Sequence, residues 1–304
     1  MLKPLKSLTC LLLLSLVSLV AACGPKGAGG EPAPGAAAPQ AGAAAFDLGA
    51  LNNSVDQSIG GLGTCVIIRD TVSGREVYHY GDAVPCMAHL PPCDLFDIPN
   101  SLIGLDRGLI IPGGVVKWDG KPAQMIEWQK DMTWSQAFHI GNEAWFGQLA
   151  AKTGLDGYAQ GLRALDYGDH NTAGPPTQFW MGPQAGGGLT VTEGQQADFI
   201  RRFYAGDLTI KPDAIHTVQA QTLDETRTDA KGAAVTVSGR AASCPTTPAG
   251  DRNIGWWVGR VQSPQSDLSF SASVEGTEAP PGMEVERLLK AAFVAAHILP
   301  PAPD

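Results

Sequence analysis

The chain has 304 residues, 44% of them hydrophobic, with 21 lysines and arginines against 30 aspartates and glutamates, a formal net charge of −9. That supply of apolar residues supports a sizeable core in one large domain or two small ones. The acidic balance, with no basic stripe along the chain, argues against nucleic acid as a partner.

In chain order, Lys3 and Lys6 precede the apolar run "LLLLSLVSLV" and the tetrapeptide "VAAC". A charged start, an apolar stretch too short to span a bilayer and small residues after it make a secretory signal over residues 1–22. Ala21-Ala22-Cys23 resembles the bacterial lipobox, which implies that Cys23 becomes the first mature residue and carries lipid. Residues 23–45 are rich in Pro, Ala and Gly with almost no charge or periodicity, the composition of a disordered tether. Such a coil reaches on the order of 25 Å. The expected address is the bacterial cell envelope, with the chain lipid-anchored to a membrane on its periplasmic or outer side and one domain over residues 46–304.

"TCVIIRD" (64–70) and "REVYHY" (75–80) read as two strands joined by "TVSG". Leu95 to about Arg107 has helical patterning despite Pro99, which an early turn tolerates. Short helices are expected near 143–152 and 155–163. A longer one begins at Thr192 as N-cap, buries Phe199, Ile200 and Phe203, and ends near Gly206. Beyond Ala233, "AAVTVSG", "NIGWWVGRVQ" and "LSFSASVEG" read as three strands. "MEVERLLKAAFVAAHIL" follows as an amphipathic helix striped by Val285, Leu288, Leu289, Ala292 and Ala296. Strands at both ends of the chain most simply share one sheet. The predicted architecture is therefore α+β with two lobes: an antiparallel sheet of five or more strands flanked by helices, and a helical lobe from the middle of the chain.

Four cysteines remain after the signal: Cys65, Cys86, Cys93 and Cys244. In an exported chain they suggest disulfides. Cys86 and Cys93 are close in sequence within a loop and are the expected pair, which leaves Cys65 and Cys244 to each other only by elimination. No CxxC occurs and the histidines are scattered, a pattern against a structural zinc site. "GPQAGGGL" (182–189) lacks the Lys-Ser/Thr of a phosphate loop, so no cofactor is expected.

"FDIPNSLIGLDRGLI", "WDG" (118–120), "DYGDHNTAG", "FWMGP" and "GWWVGRVQ" occur in the order of motifs in the class D (oxacillinase-type) serine β-lactamases. The sequence resembles that family over most of residues 60–299. The same fold serves penicillin-binding transpeptidases and β-lactam receptors. The resemblance implies their fold, and it places the catalytic motifs on altered residues. The family's S-x-x-K falls on Asp94-Leu95-Phe96-Asp97, with Asp94 for the nucleophile and Asp97 for the base. Its S-x-V falls on Gly141-Asn142-Glu143, and its K-T-G on Arg240-Ala241-Ala242.

Acyl-enzyme chemistry needs a hydroxyl or similar nucleophile beside a base that takes its proton. Asp94 can attack only as a carboxylate, giving a self-hydrolysing anhydride. Asp97 cannot be carboxylated as the family's lysine is. Ala241 lacks the hydroxyl that receives a substrate carboxylate, whereas Arg240 keeps the charge. Three carboxylates near an anionic ligand each cost on the order of a few kcal/mol at ~4 Å and an effective dielectric near 20.

Three functions remain open. The chain is a penicillin-binding-type lipoprotein that has lost acylation and acts as a binding or scaffold module toward peptidoglycan peptide, a β-lactam or an envelope protein, with Asp94, Asp97, Asn142, Arg240 and Trp180 lining the site. Alternatively it hydrolyses β-lactams or wall peptides with Asp94 as nucleophile or water-activating base and Arg240 as anchor. Alternatively Asp94, Asp97 and Glu143 hold a divalent cation. The structural reading set against all three is a D-x-x-D capping box at the helix start, with an Asp–Arg240 salt bridge. His89, His139 and His216 read as surface or half-buried residues. Trp256 and Trp257 read as core and cleft wall, and Tyr167 as structural.

Overall fold

The computed structural model describes residues 46–302. The expected signal, Cys23 and the 23–45 tether lie outside the described residues.

The described residues begin with α1 (Leu48–Ile59), which sequence patterning missed, and enter β1 (Gly63–Asp70) and β2 (Glu76–Tyr80). A short α2 (Ala83–Met87) and a 3-10 turn (Cys93–Phe96) lead into α3 (Asp97–Asp106). Pro99 is the third residue of α3, where no intrahelical amide bond is owed, so the helix runs straight through it. The middle of the chain holds the small ladder β3 (Val115–Val116) with β4 (Met132–Thr133), then α4 (Trp134–His139) and α5 (Glu143–Leu165). The two short helices expected here are present within α5, separated at Gly154, which takes the non-helical φ 68 and ψ 160.

α6 (Glu193–Ala205) starts at Thr192, whose hydroxyl accepts from Gln195 N while Gln195 returns a bond to the cap, and stops at Gly206 with φ 78. α7 (Pro212–Gln221) and β5 (Leu223–Thr228) follow. β6 (Ala234–Pro245), β7 (Asn253–Gln262), β8 (Asp267–Gly276) and α8 (Gly282–Ala295) complete the fold.

The sheet is six-stranded and antiparallel throughout, in the order β2-β1-β8-β7-β6-β5. Alternation along the strands sorts its two faces. Val66, Ile68, Val235, Val237, Phe270, Ala272 and Val274 pack with Leu51 and Val55 of α1 and with Val285, Leu289 and Ala292 of α8. The opposite face meets the helical middle: Ala242, Cys244, Ile254, Trp256 and Val258 join Phe96, Leu102, Phe146, Tyr158, Trp180 and Phe199 in the larger core cluster. This second face is the one that the 3-10 turn before α3 meets, at β6.

The disulfides differ from the expected pairing. Cys65 bonds Cys86 and Cys93 bonds Cys244; Cys86–Cys93 is not formed. Proximity in sequence misleads because α2 folds Cys86 back over the face of β1 on which Cys65 points. Gly81, at φ +109, lets the chain leave β2 against Thr64 O and Cys65. Cys93 is carried away by the Leu90–Val191 bridge and by its amide bond to Trp180 O (3.1 Å), and it then faces β6.

Candidate functional site

The site grows from three local decisions in the chain. First, Cys93 adopts φ 52 and starts the 3-10 turn that sets Asp94 and Asp97 at the mouth of α3. Neither carboxylate caps the helix. The residue before α3 is Phe96 and it makes no side-chain cap bond, so the capping-box reading of Asp94 and Asp97 fails. The reason is that α3 continues from the 3-10 turn, whose own carbonyls receive the amides of its first residues.

Second, strand alternation aims Arg240 at the helical lobe, on the same face as Ala242 and Cys244, while Ala241 packs toward the α8 side. Each of the three guanidinium nitrogens makes a bond. Its Nε donates to Asp94 O at 2.9 Å, its Nη1 donates to Phe138 O at 2.8 Å, and its Nη2 forms an ion pair with the Asp97 carboxylate. The Phe138 ring lies under it, 4.5 Å from guanidinium carbon to ring centre. The side chains of Arg240 and Asp97 are 10% and 3% exposed, so this is a buried pair with its hydrogen-bonding capacity largely met.

Third, Gly141 leaves α4 with φ +59, a conformation that disfavours a side chain, and a Cβ there would sit 3.7 Å from Arg240 Nη2. Next to it Asn142 is the N-cap of α5: its Oδ1 accepts from Trp145 N at 3.0 Å and its Nδ2 donates to Trp128 O at 3.4 Å. Asn142, expected from the sequence to line the site, is buried and caps α5. Glu143 is the first residue of α5. Burial and the neighbouring Asp94 charge raise its carboxyl to about 7. Asp94 is also raised, by burial, against the pull of Arg240. Asp97 is raised well above the ordinary range, again by burial first, with Arg240 opposing.

Two cavities share this region. One of about 500 Å³ is lined by Asp94, His139, Gly141, Arg240 and Ala241 together with Asp224 and Glu286. The other, of about 510 Å³, has Glu143, Trp128 and Trp180 in its wall. Asp94, Gly141, Arg240 and Ala241 therefore come together, and Glu143 and Trp180 open onto the neighbouring space. Trp180 is buried and stacks on Phe96 at 4.9 Å. Asp97 lies behind Arg240. Asp94, Asp97 and Glu143 do not form a cluster with ligand atoms within one ion's reach; among the described residues that geometry is met by Cys65, His79 and Cys86.

His139 is exposed on the cleft rim, His216 is exposed on α7, and His89 lies on the surface 3.3 Å from Thr190 Oγ1. Sequence reasoning missed Phe138, which holds Arg240 with both ring and carbonyl. It also missed Asp224 and Glu286, which Lys290 pairs with at the cleft edge. Only the i,i+4 spacing of Glu286 and Lys290 hinted at part of that cluster.

A family profile described as the penicillin binding protein transpeptidase domain matches residues 95–298. The chain belongs to that family. Among transpeptidase-family relatives, β-lactamase OXA-10 of Pseudomonas aeruginosa is 27% identical over 182 residues, covering 60% of this chain and 65% of its own. β-lactamase OXA-48 of Klebsiella pneumoniae is 28% identical over 185 residues, with coverage of 60% and 65%. The match thus spans less than two thirds of the length of these relatives. Among solved structures, the class D β-lactamase FUS-1 (OXA-85) of Fusobacterium nucleatum subsp. polymorphum superposes with a TM-score of 0.71 at 19% identity. That likeness covers 82% of this chain and 98% of FUS-1. The class D β-lactamase fold is therefore the fold of this chain.

Proposed function

We propose that this transpeptidase-family chain does not acylate and serves as a binding module at the cell envelope. One observation carries the reading: Arg240, at the position aligned with the family's K-T-G lysine, is turned inward. It is held by Asp97, Asp94 O and Phe138 O. The charge of Arg240 is already matched by Asp97, which weakens its hold on a substrate carboxylate, and the position aligned with the reactive serine carries a carboxylate. Asp224 and Glu286 in the cleft wall are already paired with Lys290, so Asp94 is the wall carboxylate that favours an amine-bearing peptide over an anionic lactam. A wall peptide or a segment of an envelope protein has that chemistry.

The test is incubation of the 46–304 domain with a fluorescent penicillin, followed by intact-mass measurement, alongside nitrocefin turnover. An unchanged mass and no turnover are expected. A stoichiometric adduct or sustained hydrolysis would overturn the reading.

A second reading has its own support. Glu143, at about 7, has the proton affinity of a general base working near neutrality, and it stands by Asp94. On that reading the chain hydrolyses an amide or lactam through an activated water, and Glu143→Gln, like Asp94→Asn, abolishes turnover. Equal inertness of wild type and variant removes it.

We further propose lipid attachment at Cys23. Cys23→Ala should then move the protein from the membrane fraction to the soluble fraction, and the mass of the N-terminal peptide should report the acyl chains. A peptide of unmodified mass beginning elsewhere would refute the attachment.

A further inference from the structure

A second cluster lies on the far edge of the sheet, away from the cleft. In the β1–β2 ladder His79 stands opposite Ile67, so its side chain shares a face with Cys65, two residues along. α2 returns Cys86 to the same spot. The available atoms of Cys65, His79 and Cys86 all lie within 4.8 Å of one another. His79 Nε2 is 3.4 Å from Cys86 Sγ, and its Nδ1 is 3.3 Å from Glu76 Oε1. A cavity of about 330 Å³ opens beside them, lined also by Met87, His89, Thr192 and Gly194.

We propose that this cluster is a redox-gated site for zinc or a similar thiophilic divalent cation, closed while Cys65 and Cys86 are joined and open when they are reduced. The dimensions suit it. Zinc holds sulfur at about 2.3 Å and imidazole nitrogen at about 2.0 Å, so a tetrahedral ion separates two such ligands by roughly 3.5 Å. The Cys86–His79 spacing already has that length, and the Cys65 and Cys86 sulfurs, bonded here, must draw apart to it on reduction. Glu76 supplies the outer carboxylate that fixes a ligating imidazole through its other nitrogen. The cavity leaves the fourth position to water.

The chemistry balances with a dithiol reductant. Its two thiol hydrogens pass to the Cys65 and Cys86 sulfurs as their bond breaks, and the reductant becomes a cyclic disulfide. Metal binding then displaces the two thiol protons to solvent, leaving a dithiolate–imidazole site. Sequence spacing hides the arrangement, because strand pairing and α2 assemble it across 21 residues.

The test uses Co²⁺ as a spectroscopic stand-in for zinc, added to the full 46–304 domain before and after anaerobic reduction. Sulfur-to-cobalt charge-transfer and tetrahedral d–d bands are expected only after reduction, at one ion per chain. His79→Ala should weaken binding at least tenfold, and Glu76→Gln by about 10-fold to 100-fold. Because Cys93 and Cys244 are reduced in the same step, alkylation with peptide mapping assigns the sulfurs: the metal should protect Cys65 and Cys86 alone. No charge-transfer band from a reduced domain that keeps its circular dichroism would overturn the proposal. So would protection of Cys93 and Cys244 instead, or a reduced domain that loses its fold and does not regain it with metal.

Discussion

Arg240 Nη2 pairs with the Asp97 carboxylate across the join between β6 and α3, tying a strand of the sheet to the first turn of the helical lobe. Both partners are buried, so removing one strands the other in a poorly solvated place. Arg240→Met should lower unfolding free energy by about 3–5 kcal/mol, whereas the double change Arg240→Met with Asp97→Leu should recover most of that loss. Urea denaturation of the single and double variants measures both. Additive losses would show that the pair is not coupled.

Restoring the nucleophile by itself should not restore acylation. Asp94→Ser supplies a hydroxyl, but the group at position 97 remains a carboxylate bound to Arg240, with no amine to take the hydroxyl proton. Intact mass after penicillin treatment should stay unchanged in this variant. An adduct in Asp94→Ser would show that a different base is in reach.

Glu193 sits fully buried at the start of α6, with Ser273 Oγ donating to one carboxylate oxygen and the other oxygen lacking a partner. Burial raises its carboxyl from 4.5 to about 7. The folded state therefore holds this proton more tightly than the unfolded chain. The resulting penalty is absent below the unfolded value, grows as pH rises, and is complete above the folded one. Glu193→Gln should match wild type in stability near pH 4 and exceed it above pH 7, by up to about 3 kcal/mol from a shift of that size. Thermal melts across that pH range give the difference directly; a constant offset would contradict the assignment.

The Cys93–Cys244 bond closes a loop with a sequence separation of 151, against 21 for Cys65–Cys86. Loop-closure entropy grows with the logarithm of length, so the long bridge contributes more, about 5 kcal/mol against about 3. Cys93→Ser with Cys244→Ser should lower the denaturation midpoint more than Cys65→Ser with Cys86→Ser does. Guanidinium titrations of the two double variants decide the order.

Much of the fold is legible in the residues. β7 reads directly from "NIGWWVGRVQ", and α6 reads from Thr192 to Gly206, because caps and period act locally. β5, "LDETRT", does not. It is an edge strand without apolar alternation, and it exists because β6 offers it a partner. α1 escapes notice next to low-complexity sequence, although Leu51, Val55 and Ile59 form its buried stripe. At the site, the alignment frame identifies Asp94, Asp97 and Arg240. It cannot show which way a strand turns a side chain. The inward aim of Arg240 and both cysteine pairings come from tertiary geometry that no spacing encodes.

Cys93 immediately precedes Asp94, and its partner Cys244 stands four residues beyond Arg240 on the same strand. Helix mouth and strand are thus riveted together by a covalent strap as well as by charge. A visitor to the cleft meets fixed jaws: it must match a preset shape on arrival, since the two walls nearest Asp94 have little freedom to draw apart and close again around it.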